Sequence, residues 1–363
     1  MVDELDRLRE KISQIDRDII GLIAERLDVV NEIAAVKIGS RRPIRDYRVE
    51  REVIQRMRSR CNELGIDPAI GRLLARLLIG SAIRAQEGIV DRVYEGIHKR
   101  ILIMGGHGRM GQWFLRYVNS MGHRVSVFDP AGPVEGFDYE EDPGKAIRNA
   151  DMVLLSTPLG ISGTILEEVV SFDPGGIIFD ICSLKSHLLH HIRAAVRAGI
   201  RITSLHPMFG PRVRTLMERN VILCRCGCAE ADQEVKRLFE GTEANLIEMD
   251  IEEHDERMAY VLGMCHAVNI MFSEMLFRSG KPLADLLKVA SSTFTKQIKT
   301  TRDVAFEAAD LYYEIQTLND HTPEVFELFL KAAEEVHQAV REKDPVRFAE
   351  IMKRGKAYFH PRA

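Results

Sequence analysis

Three constellations in this sequence have the residue types and spacing for chemistry. The first is a glycine run. "ILIMGGHGRMG" sets Gly106, Gly108 and Gly111 as G-x-G-x-x-G between an apolar stretch and a helical pattern. The first glycine permits a tight turn, the second lets backbone approach a pyrophosphate, and the third lets helix and strand pack closely. The helix start, with Arg109 and Met110 in its first turn, offers unpaired N–H groups to phosphate oxygens. Asp129 closes the next apolar stretch, 18 residues past Gly111. An acidic residue there binds the ribose hydroxyls of NAD and repels the extra phosphate of NADP. Arg124 and Lys145 lie nearby in sequence and keep an NADP reading open.

The second constellation is built on histidines. His206 sits inside the apolar run "SLHPMFGP". Taken alone it reads as a packed core residue, because a neutral imidazole buries readily once hydrogen-bonded. Ser183 and Lys185, in "DICSLK", follow an earlier apolar run, and ligands collect beyond strand ends in doubly wound sheets. His266, in "GMCHAV", reads by itself as a core histidine. The third constellation is charged. Arg26 and Lys37, eleven apart, fall within ~20° on one helix face. Asp46 and Glu50, four apart, share a face of the next helix, and Gln86 lies on a third. A solvated face is the plain alternative. Arg9 points ~100° away from Arg26. It cannot join them within one chain but can reach the site of a second copy.

These residues need elements to position them. Apolar residues from Leu5 to Ala34 recur at three and four, predicting one helix to about Ile38. "GSRRP" breaks it, a second helix runs from about Asp46 to Leu64, and "GIDP" precedes a third that opens on Pro68. A rod of ~57 Å cannot bury its stripe against two shorter helices, which predicts a homodimer. At His98 the texture changes. Apolar runs "KRILIMGG", "HRVSVFD", "ADMVLLSTP", "GGIIFDICS", "IRITSLHP" and "RNVILCRC" alternate with helical stretches, predicting a parallel sheet. Cys224, Cys226 and Cys228 then read as one face of a strand rather than as a metal site, since no second cysteine pair accompanies them. After about Glu252 only helical patterns remain. The fold class is α/β plus all-α, over 1–95 (helical), 96–250 (Rossmann-like, nucleotide-binding) and 251–363 (helical, dimerisation and substrate).

Composition narrows the function classes. A chain of 363 residues exceeds a single ordinary core. Its net charge of −4 gives no basic field for nucleic acid. The charged N-terminus is unlike a signal peptide, and the apolar runs read as too short for a membrane span, so a cytoplasmic protein is expected.

"LREKI", "AERLDVV", "AAVK" and "RRPIRDYRVERE", with Gln86 downstream, resemble the all-helical chorismate mutases over about residues 3–90. The resemblance implies that Arg26, Lys37, Asp46, Glu50 and Gln86, with Arg9 from a second subunit, line a pocket for chorismate. The arginine common just before the glutamate is Val49 here; Arg48 or Arg51 is a candidate to compensate, and weaker substrate binding is the alternative. "GGHGRMG", "DICSLK", "LHPMFGP", "EHDERMAYVLGMCHAV" and "LYYEIQ" resemble the prephenate dehydrogenases over about residues 99–320. Together the halves look like the bifunctional chorismate mutase–prephenate dehydrogenases. That implies NAD as cofactor, His206 as proton acceptor from the ring hydroxyl of prephenate, and Ser183 orienting it. It implies Lys185, His266 and Arg302 at the substrate, with Lys296 and Lys299 as alternatives to Arg302. His254 falls in a motif tied to feedback by tyrosine. Three other readings stand beside this one. They are an arogenate dehydrogenase on the same scaffold, a chorismate-sensing module fused to a dehydrogenase, and a dehydrogenase of hydroxy acids.

Overall fold

The structure is a computed structural model and describes residues 2–39, 47–86 and 99–360. Three helices open the chain: α1 (Val2–Gly39), α2 (Tyr47–Glu63) and α3 (Pro68–Gln86). Gly65 stops α2 at φ +67°, and Asp67 accepts from the Ala69 N–H to start α3, whose first residue is Pro68. Val53, Ile54, Ala75 and Ile79 form the core between α2 and α3. The apolar stripe of α1 is left outward: Ile12 is 60% exposed and Leu22 63%.

The sheet segment alternates strands and helices: β1 (Arg100–Met104), α4 (Arg109–Ser120), β2 (Arg124–Phe128), β3 (Asp138–Tyr139), α5 (Pro143–Asn149), β4 (Met152–Leu155), α6 (Leu159–Ser171), β5 (Ile177–Asp180), α7 (Leu189–Arg197), β6 (Ile202–Pro207), β7 (Asn220–Arg225), α8 (Ala229–Arg237) and β8 (Asn245–Asp250). Strand order is β3-β2-β1-β4-β5-β6-β7-β8, so the order reverses between β1 and β4. The central strands β4, β5 and β6 are buried at every position because helices cover both faces. The sheet is not wholly parallel as expected. β6 and β7 run antiparallel, with His206 opposite Ile222. The link between them, residues 208–219, holds no crossover helix, and a parallel return needs one. The three-thiol strand face is also corrected. β7 ends at Arg225, and only Cys224 lies in it; Gly227, at φ +95°, turns the chain before Cys228.

The C-terminal part is helical: α9 (Ile251–Met258), a π-helical turn (Ala259–Met264), α10 (Cys265–Arg278), α11 (Leu283–Lys288), α12 (Ser292–Ala305), α13 (Ala309–Thr317), α14 (Thr322–Arg341) and α15 (Pro345–Phe359). Ser291 and Asp344 cap α12 and α15 through backbone N–H groups. Contrary to the expectation from apolar runs, Ile251–Arg278 is long and apolar enough to cross a membrane by length and composition. Its first turns nonetheless hold the buried polar pair His254 and Asp255.

Contacts divide the chain into two compact units, Met1–Ser183 with His190–Asp250, and Leu184–Leu189 with Ile251–Ala363. The N-terminal helices and the sheet therefore form one unit. Met217, from the β6–β7 link, completes the α2–α3 core. Tyr47 packs edge-on against Tyr117 at 5.7 Å, and Glu218 ion-pairs with Arg76 of α3.

Candidate active sites and family

The glycine turn lies at the carboxyl end of β1, where the strand order reverses. The tight turn belongs to Gly105, not to Gly106 as expected: Gly105 has φ +90°, and a Cβ there would stand 2.3 Å from the Ser156 carbonyl oxygen. Gly106 instead makes room for Val127, whose Cγ2 would be 2.1 Å from an added Cβ. A Cβ on Gly111 would meet the Gly105 carbonyl oxygen at 2.1 Å. Gly108 is the N-cap of α4 and supplies no side-chain cap, unlike Asp142 of α5. The first N–H groups of α4, at Arg109 and Met110, thus get no side-chain cap from Gly108. Asp129 follows β2 and is buried; its two oxygens accept the N–H groups of His107 and Ala131 at 2.9 Å each. Each oxygen keeps a lone pair for a hydroxyl. Arg124 starts β2, about 16 Å from that end at ~3.3 Å per residue, so it does not serve a ribose phosphate beside Asp129.

Sequence reasoning missed Thr157. It follows β4 beside Gly105, and its buried hydroxyl has no hydrogen-bond partner among the described residues. Its signal was position: two residues beyond a strand at the switch point of a doubly wound sheet. A turn that excludes Cβ atoms, a helix start whose N-cap is a glycine and this hydroxyl together fit a dinucleotide.

Ser183 and His206 come to the same edge. β5 and β6 are parallel neighbours with Asp180 in register with Ser204; Ser183 lies three residues beyond that pair and His206 two. His206 is 3% exposed and is held within the strand. In the second unit, Lys185 is buried, and its N–H donates to both oxygens of Asp255 at 2.9 Å. The Ser186 N–H donates to the same carboxylate at 2.6 Å, and His254 Nδ1 lies 2.6 Å from it. Burial would push the Asp255 carboxyl up, but His254 and the Ser186 N–H outweigh that and hold it at about 2. His254 is fully buried.

His266 is half-buried against Tyr312, ring centroids 4.3 Å apart, and its Nδ1 has no hydrogen-bond partner among the described residues. Burial pushes its pKa down, against a weaker upward pull from Glu307, so the ring is neutral near pH 7. The π turn before it is braced by Gln316, which donates to the Gly263 carbonyl at 2.9 Å. "LYYEIQ" thus supplies both Tyr312 and Gln316 to the stretch around His266. Arg302 is exposed and lies over the Phe306 ring at 5.6 Å; Lys296 and Lys299 are also exposed.

On the N-terminal helices, Arg26 donates to the Leu78 carbonyl at 3.3 Å. Burial and then the nearby Arg56 guanidinium lower its pKa. Arg56 was not singled out from sequence. A half-buried Arg26 with an exposed Arg56 near it is a pair of cations that suits a dianion. Lys37 and Glu50 are half-buried. Arg9 is exposed and pairs with Asp6, some 25 Å along the rod from Arg26. Arg51 does not replace the arginine missing at Val49: it is committed to Glu243 at 2.8 Å and the Thr242 carbonyl at 3.1 Å. Asp46 lies outside the described residues, and so does the side chain of Gln86.

Three family descriptions match in order. Chorismate mutase type II covers residues 8–87. The prephenate dehydrogenase nucleotide-binding domain covers 131–248, and its dimerization domain covers 250–354. A T-protein of Haemophilus influenzae is 27% identical over 320 residues, 86% of this chain and 81% of the relative. The chain belongs to the chorismate mutase–prephenate dehydrogenase family. A chorismate mutase of Methanocaldococcus jannaschii is 35% identical over 79 residues, 22% of this chain and 80% of that one. A solved prephenate dehydrogenase from A. aeolicus, in complex with hydroxyphenyl propionate and NAD+, shares the fold. Its TM-score is 0.59 at 21% identity, covering 73% of this chain and 98% of that one. The chain is therefore a two-activity enzyme, an isomerase and an NAD-dependent oxidoreductase, of tyrosine biosynthesis.

Proposed function

We propose how its residues share the two reactions. Residues 1–95 convert chorismate to prephenate; the segments 96–250 and 251–363 convert prephenate to 4-hydroxyphenylpyruvate. The first step is a concerted rearrangement of a dianion with no nucleophile and no proton transfer. The protein need only hold the compact conformer and stabilise charge on the ether oxygen. Arg26, with Arg9 from a second copy of the chain, clamps the two carboxylates. Lys37 and Gln86 donate to the ether oxygen, while Asp46 and Glu50 orient substrate. A homodimer follows from this sharing of Arg9, and the outward stripe of α1 supports it.

The observation that carries the second step is the gathering of Gly105, Thr157, Asp129, Ser183 and His206 at the carboxyl ends of the parallel strands. Gly106, Gly108, Gly111 and the N–H groups of Arg109 and Met110 hold the pyrophosphate of the cofactor, and Asp129 its ribose. Bound NAD+ supplies a hydride acceptor for the ring carbon that bears the hydroxyl. His206 accepts the hydroxyl proton, and Ser183 orients its ring. Carbon dioxide leaves as the ring becomes aromatic. Lys185 and His266 order the substrate pocket, and Arg302 binds a carboxylate. Tyrosine is the expected feedback inhibitor and the cytoplasm the expected compartment.

His206→Asn tests the assignment. It should bind NAD+ and prephenate as before and lose most NADH production; near-normal turnover would end the role. The same assay on arogenate decides which substrate the pocket prefers.

A further inference from the structure

Asp255 is only 3% exposed, in a place where a lone carboxylate would be costly. Its compensation is unusual in where it comes from. Two of its donors are consecutive backbone N–H groups, those of Lys185 and Ser186, and the Ser186 side chain adds a hydrogen bond of its own. They belong to Leu184–Leu189, a short piece far away in sequence whose 3-10 turn, Ser186–Leu188, leads into α7 at Leu189. A further donor is Nδ1 of His254, fully buried next door. Asn319 in turn donates to the Asp255 carbonyl at 2.8 Å, so the carboxylate rides on a fixed backbone. A short turn gains little from its own hydrogen bonds; an ionised acceptor of adjacent N–H groups supplies what it lacks. The residues so fixed are Lys185 itself and, one covalent step before Leu184, Ser183.

We propose that Asp255 is a positioning residue for the dehydrogenase step, holding the Ser183–Lys185 backbone in its working conformation, with His254 holding Asp255. The inference rests on the roles proposed above for Ser183 and Lys185. It also gives His254 a task that needs no contact with any ligand.

The test uses the full chain and three variants: Asp255→Asn, His254→Asn and His254→Leu. An asparagine at 255 keeps the size but replaces one accepting oxygen with a donor. An asparagine at 254 keeps an N–H near Nδ1; a leucine keeps none. NADH production from prephenate, mutase turnover of chorismate and NAD+ affinity are measured for each. Asp255→Asn should lower kcat on prephenate by about tenfold to a hundredfold, the cost of displacing reacting groups by a fraction of an ångström. Mutase turnover and NAD+ affinity should stay within about twofold, since Arg26 and the glycine turn lie elsewhere. His254→Asn should stay close to the unmodified chain and His254→Leu should fall with Asp255→Asn. A merely structural role predicts instead that all three activities decline together. The inference is overturned if Asp255→Asn keeps its kcat on prephenate, or if His254→Asn is as impaired as His254→Leu. Should Asp255→Asn fail to fold, shown by loss of mutase turnover, the two His254 variants decide alone. If the unmodified chain makes no NADH from prephenate, the functional reading fails rather than this one.

Discussion

Alanine at Gly111 probes the phosphate-binding turn most sharply. The added Cβ would stand 2.1 Å from the Gly105 carbonyl oxygen and 3.1 Å from the Gly106 Cα. Both neighbours are backbone, so neither can rotate away. A Cβ approaches an oxygen no closer than ~3 Å, so the turn must open by about 1 Å, and overpacking of that kind costs ~1–3 kcal/mol. The same opening pulls N–H groups off the pyrophosphate. Each hydrogen bond to a charged group is worth ~1.5–3 kcal/mol, so losing one weakens NAD+ about 10- to 100-fold. The assay is built in. Trp113 is the chain's single tryptophan and sits on α4, so its fluorescence can follow NAD+ titration. Gly108→Ala is the contrast. Its Cβ would be 3.2 Å from the Gly105 oxygen, a contact that a small shift relieves. That variant should keep its melting temperature yet lose NAD+ affinity, because the methyl occupies the surface that meets phosphate. If Gly111→Ala binds NAD+ within about twofold of the unmodified chain and melts with it, the reasoning about this turn is wrong.

Two further outcomes follow from the geometry. Arg26→Ala should lower kcat/KM on chorismate by about 10²–10³-fold, with Arg56→Ala a smaller loss of the same sign, and leave prephenate turnover intact; equal losses in both reactions would refute the division of labour. Asp255 is held at about 2 against an ordinary 3.8, so its stabilisation is present above ~4 and disappears as pH falls towards 2, roughly 2 kcal/mol in all. Urea unfolding at pH 5 and pH 3 should show that slope in the unmodified chain and a flatter one in Asp255→Asn; parallel slopes would contradict it.

What could be read from sequence was local. The three N-terminal helices announced themselves through apolar spacing and through Gly65, Asp67 and Pro68. The central strands were visible because strands covered on both faces read as short, mostly apolar runs, such as Met152–Leu155 and 177–179. Gly106, Gly108 and Gly111 were legible because backbone geometry leaves few residues a choice there. The misses share a cause. Thr157 was hidden because a threonine after a strand has no pattern of its own; only its place beside Gly105, fixed by the pairing of β1 with β4, marks it. The antiparallel β7 depended on what the link lacked. Arg51 looked free for substrate until Glu243, 192 residues away, claimed it. Partners that far apart leave no periodicity behind.

The β6–β7 link joins the two halves of the chemistry, and Met217 measures how firmly. The link starts directly after His206 and Pro207, and ten residues past Pro207 it plants Met217, 6% exposed, among Val53, Ile54, Ala75 and Ile79 of the mutase helices. Glu218 beside it adopts φ +57°, a conformation costly for a residue with a side chain. Arg76 and, at 3.9 Å, Arg72 hold it there. Those ion pairs are exposed and contribute little individually, so the buried methionine carries the attachment. Met217→Ala should cost ~2–5 kcal/mol and lower the melting temperature, whereas Met217→Leu should cost under ~1.5 kcal/mol. Were the helices and the sheet independent, the alanine would disturb neither reaction. Because the helices form one unit with the sheet, it should lower prephenate turnover as well, through the strand that ends at His206. A Met217→Ala chain with unchanged melting and unchanged turnover on both substrates would show that the link merely touches the helices.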